Sequence, residues 1–379
     1  MSSSNAVSVS YIAEPTYGAT PDPTGAITIQ NIRFTSESLS GTPLVTESAV
    51  IRTDRMSSGQ VVTGLEVGGD INFELARDAF FDDFFELGMM SNWVTATADV
   101  SGVSFTIDPI DDQSGTLSGT GVSAGLSAGD VLKVTDGSTD YVFQVITVTD
   151  ADNLDVACKK NQPDFTGATS RRPPYLDIGS DINSVTMAKA YEDVLDGTDE
   201  YSQTYSGTIV SGFAVEAQYG EIVTGSFTTR ANGYERELPS FQQQVITGGG
   251  TITAAPTSQS INASSDVPVV STSNTATDFC VMSFSFTLDN GVRPQNCIGT
   301  PAPKRYNIGT AAISIDASIY LSKTSYDAFM AAKETQASVP MTFILQNADG
   351  GYAYSFPAIQ LSFPDPGSGG ENQDVMLEA

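Results

Sequence analysis

Histidine is absent from all 379 residues. Without an imidazole there is no Ser-His-Asp or Cys-His nucleophile, no His-ligated zinc and no imidazole proton shuttle. Cysteine is scarce too: Cys158, Cys280 and Cys297 are odd in number and share no motif spacing. They read as buried or free thiols of a protein assembled in a cytosol, not as a disulfide framework. Positive charge is thin, with 17 Lys and Arg against 45 Asp and Glu, for a net −28. Nucleic-acid gripping needs Lys and Arg to displace counterions from phosphates, so the balance argues against it. It suits a surface that DNA passes without sticking. No apolar run approaches a membrane span. The opening MSSSNAVSVSYIAEPTYG has no basic and no apolar region, so it does not read as a secretory signal.

What is plentiful is Thr, Ser, Val and turn formers, with Gly at 34 and Pro at 18, and only 16% of residues charged. That profile favours short strands joined by turns over long surface helices. The length allows two domains or more.

Self-comparison reveals a duplication. Leu65, Val67, Ile71, Phe73 and Leu75 alternate with Glu66, Asp70, Asn72 and Glu74, which predicts a half-buried strand. A helix follows over 76–86, with Phe80, Phe81, Phe84 and Phe85 on one side and Asp78, Asp82 and Glu86 on the other. In the second half Ala311, Ile313, Ile315, Ala317, Ile319 and Leu321 alternate with Ser314, Asp316, Ser318 and Tyr320. A second helix then presents Tyr326, Phe329 and Met330. Leu75 matches Leu321 at an offset of 321 − 75 = 246, whereas Val185 matches Val339 at 339 − 185 = 154. The first copy therefore carries an insertion. Its runs at 128–134, 141–148 and 154–156 read as strands of a small β-barrel or sandwich.

These patterns divide the chain into residues 1–95, the first part of repeat one; 96–182, the inserted β domain and its connections; 183–238, the rest of repeat one; 239–277, an extended linker; and 278–379, repeat two. The second copy stops before the counterpart of the full strand at 222–229, so either it lacks most of that strand or the sequence is short at its end.

The runs Phe34–Gly41, Ile51-Arg-Thr-Asp-Arg55 and Gly68–Leu75 resemble the major tail tube proteins of siphophages. So do Gly220–Phe227, Asn290-Gly-Val-Arg293 and Gly370–Met376. The segments occur in the family's order over nearly the whole chain. The resemblance implies an all-β fold with minor helix: two tandem tail-tube β-sandwich or barrel domains, each with a short helix, plus a small inserted β domain in the first. It also implies a non-enzymatic structural virion protein that needs no cofactor or metal and polymerises into stacked rings of a DNA-conducting tail tube. A fused pair of tube domains is expected to form homotrimeric, pseudo-hexameric rings. The expected partners are further copies of the chain, a tape-measure protein, and terminator and distal tail proteins. Double-stranded DNA would pass through the lumen without specific binding, and assembly would occur in the host cytoplasm.

On that reading Glu66, Asp70, Asn72, Glu74, Ser314, Asp316 and Ser318 are candidate lumen-facing residues; the plainer reading makes them solvent-facing positions of an ordinary sandwich. The arms at 36–64 and 289–308 hold Arg52, Asp54, Arg55, Arg293, Lys304 and Arg305. These are candidates for ring-to-ring docking, or for local Arg–Asp pairing that shapes a loop. The Phe cluster reads as core rather than a binding box. Asp150, Asp152 and Asp155 read as a turn, because the calcium-loop spacing is incomplete. Gly119–Gly125 lacks the spacing and the helix of a dinucleotide loop. The adjacent acids Asp111-Asp112 and Asp82-Asp83 do not suit two-carboxylate glycosidase chemistry. A carbohydrate-binding β adhesin or another phage tail component is the rival reading; a β-rich hydrolase is a further one.

Overall fold

The computed structural model describes residues 7–50, 53, 59–110, 113–137, 139–191, 201–267, 269–272, 280–322, 326, 330, 333–362 and 375–378. The chain begins with β1 (Val7–Ala13), β2 (Thr28–Asn31), β3 (Ser36–Glu37), β4 (Ser40–Glu47), β5 (Gln60–Glu74) and helix α1 (Ala79–Met89). The insertion follows as β6 (Val100–Ile107), β7 (Ser114–Ser118), β8 (Val131–Asp136), β9 (Thr139–Val148), β10 (Asn153–Ala157) and β11 (Phe165–Arg171). The first copy resumes with β12 (Val185–Tyr191), β13 (Tyr201–Gln218), β14 (Thr224–Arg230), β15 (Gly233–Glu237), α2 (Phe241–Thr247) and β16 (Thr251–Thr253). The second copy supplies β17 (Val269–Thr272), β18 (Val281–Asp289), β19 (Arg293–Gln295), β20 (Arg305–Asn307), β21 (Ala312–Tyr320), β22 (Ser338–Asn347), β23 (Gly350–Gln360) and β24 (Met376–Glu378). The fold is mostly β with little helix, as expected.

Long β13 organises the first copy. Its first half pairs with β12 and β15, and its second half with β14 and β18. The strand changes sheets near Gly207, whose φ of +60° and contact with Asn232, 2.1 Å from where a Cβ would sit, leave no room for a side chain. Glu14 holds the same corner. Its Oε1 accepts from the Gly207 amide at 2.8 Å and Thr186 Oγ1 at 2.7 Å, and its Oε2 accepts from the Gly18 amide at 2.7 Å.

Helix α1 starts where Asp78 Oδ1 accepts from the Phe80 and Phe81 amides at 3.0 and 3.4 Å, an N-cap that satisfies two otherwise orphaned donors. It ends at Met90 in the left-handed region, φ 51°. Phe80, Phe81, Phe84 and Phe85 are all buried, so the aromatic face is core. Each contributes about 1.5–3 kcal/mol of burial. Phe227 of β14 sits among them, with ring centroids 5.3 Å from Phe84 and Phe85 and 4.7 Å from Phe73. Gly88 lets the helix approach β13, since a Cβ there would lie 2.8 Å from Phe213.

The two copies share one contiguous core. Phe284 stacks on Phe343 at 4.0 Å within the second copy, and Phe85 of α1 reaches Tyr352 at 5.1 Å across the boundary. Of the expected second helix, residues 326, 330 and 333–335 are described and helical, with Met330 packed against the core; Phe329 lies outside the described residues. The insertion is a closed six-stranded barrel, in the order β10-β7-β6-β11-β8-β9, with its own core around Phe105, Phe143 and Leu154.

One expectation is corrected. Residues 239–277 are not extended throughout: α2 and β16 lie there, and Ile261 is fully buried beside Leu75, to whose carbonyl its amide donates at 2.8 Å. A two-turn helix and a single core residue are too short to register as periodicity.

Candidate functional site

Strand register brings the two alternating runs onto one sheet. Its strands lie in the order β5, β14, β13, β18, β21, with β3 and β4 on the outer side of β5 and β24 beyond β21. Cross-strand rows can be followed from copy to copy. One runs Glu74, Thr224, Glu216, Ser285, Asp316; the next runs Asn72, Ser226, Ala214, Thr287, Ser314; a third runs Asp70, Thr228, Gly212, Asp289, Ala312. The intervening rows, such as Ile71, Phe227, Phe213, Leu288 and Ile313, point the other way, and the first four of these residues are buried. Side chains two apart share a face, so Asp70, Asn72, Glu74, Ser314, Asp316 and Ser318 lie together on the polar side.

The face is not uniformly acidic. Glu66 pairs with Arg230 at 2.8 Å. Glu74 accepts from Arg33 Nη2 at 3.5 Å and Ser260 Oγ at 2.9 Å, so it is tied into the edge of the sheet. Asn72 donates to Ser36 Oγ at 2.8 Å. Asp70 and Asp316 are exposed. Sequence reading missed Glu216 and Asp289, which are exposed on the same face, and the Ser and Thr side chains of β14 and β18 between them. For β18 the alternation Ser283-Phe-Ser-Phe-Thr-Leu-Asp289 carried the signal. So did the end of β13, where buried Phe213, Val215 and Ala217 alternate with half-buried Ala214 and exposed Glu216 and Gln218.

The arms also come together. β4 and the start of β5 form a hairpin whose Leu44, Val45, Val61 and Val62 are about half exposed or more, at 49–61%. Val45 and Val62 are cross-strand partners. The second arm is a two-stranded ribbon, β19 with β20, carrying exposed Arg293, Lys304 and Arg305. It lies over the base of the hairpin: the Leu65 amide donates to Pro301 O at 2.7 Å, and buried Tyr306 donates to Ala231 O at 3.3 Å. Burial raises the pKa of the Tyr306 and Tyr17 hydroxyls, so both stay protonated. Arg293, Lys304 and Arg305 make no ion pair among the described residues. Arg52, Asp54 and Arg55 lie outside the described residues, as do Asp111 and Asp112.

The other sequence motifs have structural occupations. Asp150 accepts from the Asp152 amide and the Asn153 side chain, contacts that lower its pKa, and Asp152 accepts from the Gly121 amide at 2.7 Å. Together they form a turn at the rim of the barrel. Asp82 pairs with Arg77 and accepts from Tyr352 Oη at 3.0 Å, while Asp83 accepts from Tyr11 Oη at 2.7 Å. No group of three or more Cys, Asp or Glu placed to hold a metal occurs among the described residues.

Residues 4–379 match the family model described as phage tail tube protein. No curated protein matches the chain.

Proposed function

The chain belongs to the phage tail tube protein family, and from that premise we propose that it is the major tail tube subunit of a siphophage, polymerising as homotrimeric rings. Membership makes it a structural virion protein of a bacteriophage tail. The finer reading is supported above all by the seam between the copies. There β13 of the first copy pairs with β18 of the second through seven residue pairs, from Gly212–Asp289 to Gln218–Ser283. β18 stands to β21 as β3 and β4 stand to β5. The outer edge of β3 and β4 is thus chemically equivalent to the edge of β18 that β13 occupies, and a neighbouring chain's second copy would fill it. Repeating that seam through three chains closes a pseudo-sixfold ring and pairs the open edge of β3 and β4.

In such a ring the polar rows of β5, β14, β13, β18 and β21 would line the lumen, with Asp70, Glu216, Asp289 and Asp316 set among Ser and Thr. Carboxylates there repel phosphate, so DNA slides without specific binding. The hairpin and the ribbon bearing Arg293, Lys304 and Arg305 would dock on the acidic surface of the next ring. Tape-measure, terminator and distal tail proteins would be the remaining partners, with assembly in the host cytoplasm. The role calls for no cofactor, and we assign no catalytic residue.

Electron microscopy of the purified chain, alone and with its tail assembly partners, tests this. Hollow filaments with three chains per ring are expected. Particles that stay monomeric under both conditions, or rings of six chains, contradict it.

A further inference from the structure

The inserted barrel touches a part of the molecule to which it does not belong in sequence. In the first copy the outer face of β12 is covered by α2: Ala188 packs with Phe241, Val245 and Ile29, and Gln242 Nε2 donates to Ser10 Oγ and Ala188 O, both at 3.0 Å. At the offset of 154 that aligns Met187 with Met341, Ala188 corresponds to Thr342 and Ala190 to Ile344 in β22. Thr342 and Ile344 are just as buried, at 1% and 2% exposure. Their cover is the barrel. Ile344 packs with Ala157, Val131, Val142 and Ile146, and buried Gln144 donates from Nε2 to Thr342 Oγ1 at 2.8 Å. Ser355 Oγ of β23 adds a bond to Gly129 O at 3.2 Å.

The barrel is also held at a set angle. Its two connections run side by side from the end of α1. The Val94 and Tyr175 amides exchange hydrogen bonds at 2.9 and 3.2 Å, and the Gly179 and Asp181 amides donate to Met89 O and Met90 O. Arg172 bridges this stalk to the barrel through Asp130 at 2.7 Å and stacks over Tyr175 at 3.9 Å. A module meant to swing freely needs neither a paired stalk nor a contact that buries Thr342 and Ile344 to 1% and 2% exposure.

We propose that the barrel inserted in the first copy is the covering layer of the second copy's β17-β22-β23 sheet, taking the place that α2 holds in the first, and so sets the angle between the two copies. Its partner is a surface of the same chain, apolar around Ile344 and hydrogen-bonding at Thr342. This holds for the isolated chain and does not depend on tube formation.

Hydrogen exchange of the full chain tests it. Gln144→Ala with Ile146→Asp alters the contact face and leaves the barrel core of Phe105, Phe143 and Leu154 intact. The expected result is a loss of protection in β22 of at least about tenfold, with β12 and the barrel core unchanged. Unchanged β22, or an equal loss in β12, overturns the proposal. Should the double variant unfold the barrel, replacing residues 95–174 with a short Gly-Ser turn between the adjacent stalk ends decides by the same readout: selective exposure of β22 supports the cover, and retained protection overturns it.

Discussion

Single side chains on and beside α1 carry more than helix propensity. Burial raises the pKa of Asp78, Asp83 and Glu86 from their ordinary values. A carboxyl whose folded pKa lies above its unfolded one contributes stability fully below the unfolded value, 3.8 for Asp, and loses it as pH rises through the raised value. Asp83→Asn removes that titration while its amide oxygen still accepts from Tyr11. The variant's melting temperature should therefore fall less than the wild type's between about pH 4 and pH 7. Parallel melts with identical pH slopes would clear Asp83 of the role. The aromatic core gives a second test at this scale. Phe227 lies within 6.4 Å of the rings of Phe73, Phe80, Phe81, Phe84, Phe85 and Phe213. Phe227→Ala should cost about 3–5 kcal/mol in denaturant unfolding, because a cavity opens where six rings meet.

Among the elements, the hairpin of β4 and β5 offers the sharpest prediction. Val45 and Val62 face one another across the ladder at 52% and 61% exposure, in a segment with no covering layer among the described residues. Val45→Asp with Val62→Asp should leave the fold and its melting temperature near wild type, since neither side chain is core, while filament assembly measured by light scattering and microscopy is lost. Assembly at the wild-type rate would remove the hairpin from the contact. Elements also mark the limit of what the sequence reveals. Alternation exposed β5 and β21, and helical spacing exposed α1, because each buries a single face. The seam of β13 with β18 was invisible: pairing between strands some seventy residues apart is set by register, not by local pattern. Glu216 stayed hidden because the buried run Gly207–Phe213 before it masks the short alternation at the end of β13. That the insertion is a small β-barrel or sandwich was readable from its strands. Its contact with β22 was not, since Gln144 and Thr342 announce nothing until they meet.

For the whole molecule the question is what a net charge of −28 would do in the proposed stack of rings. Much of the charge on the proposed lumen face is locally tied, Glu66 by Arg230 and Glu74 by Arg33. Exposed Asp70 and Asp316 stand at equivalent places in the two copies, on β5 and β21, and would repeat around a closed ring. Neither lies on the β13–β18 seam or on the arms, so Asp70→Lys with Asp316→Lys should leave assembly and tail length unaltered. The effect should fall on transit. Lysines along the channel would hold phosphates by counterion release, slowing DNA release most at low salt and least at high salt. Timed release from variant particles across a salt series measures this. Release that matches wild type at every salt concentration would place these carboxylates outside the channel, and with them the polar face of the sheet.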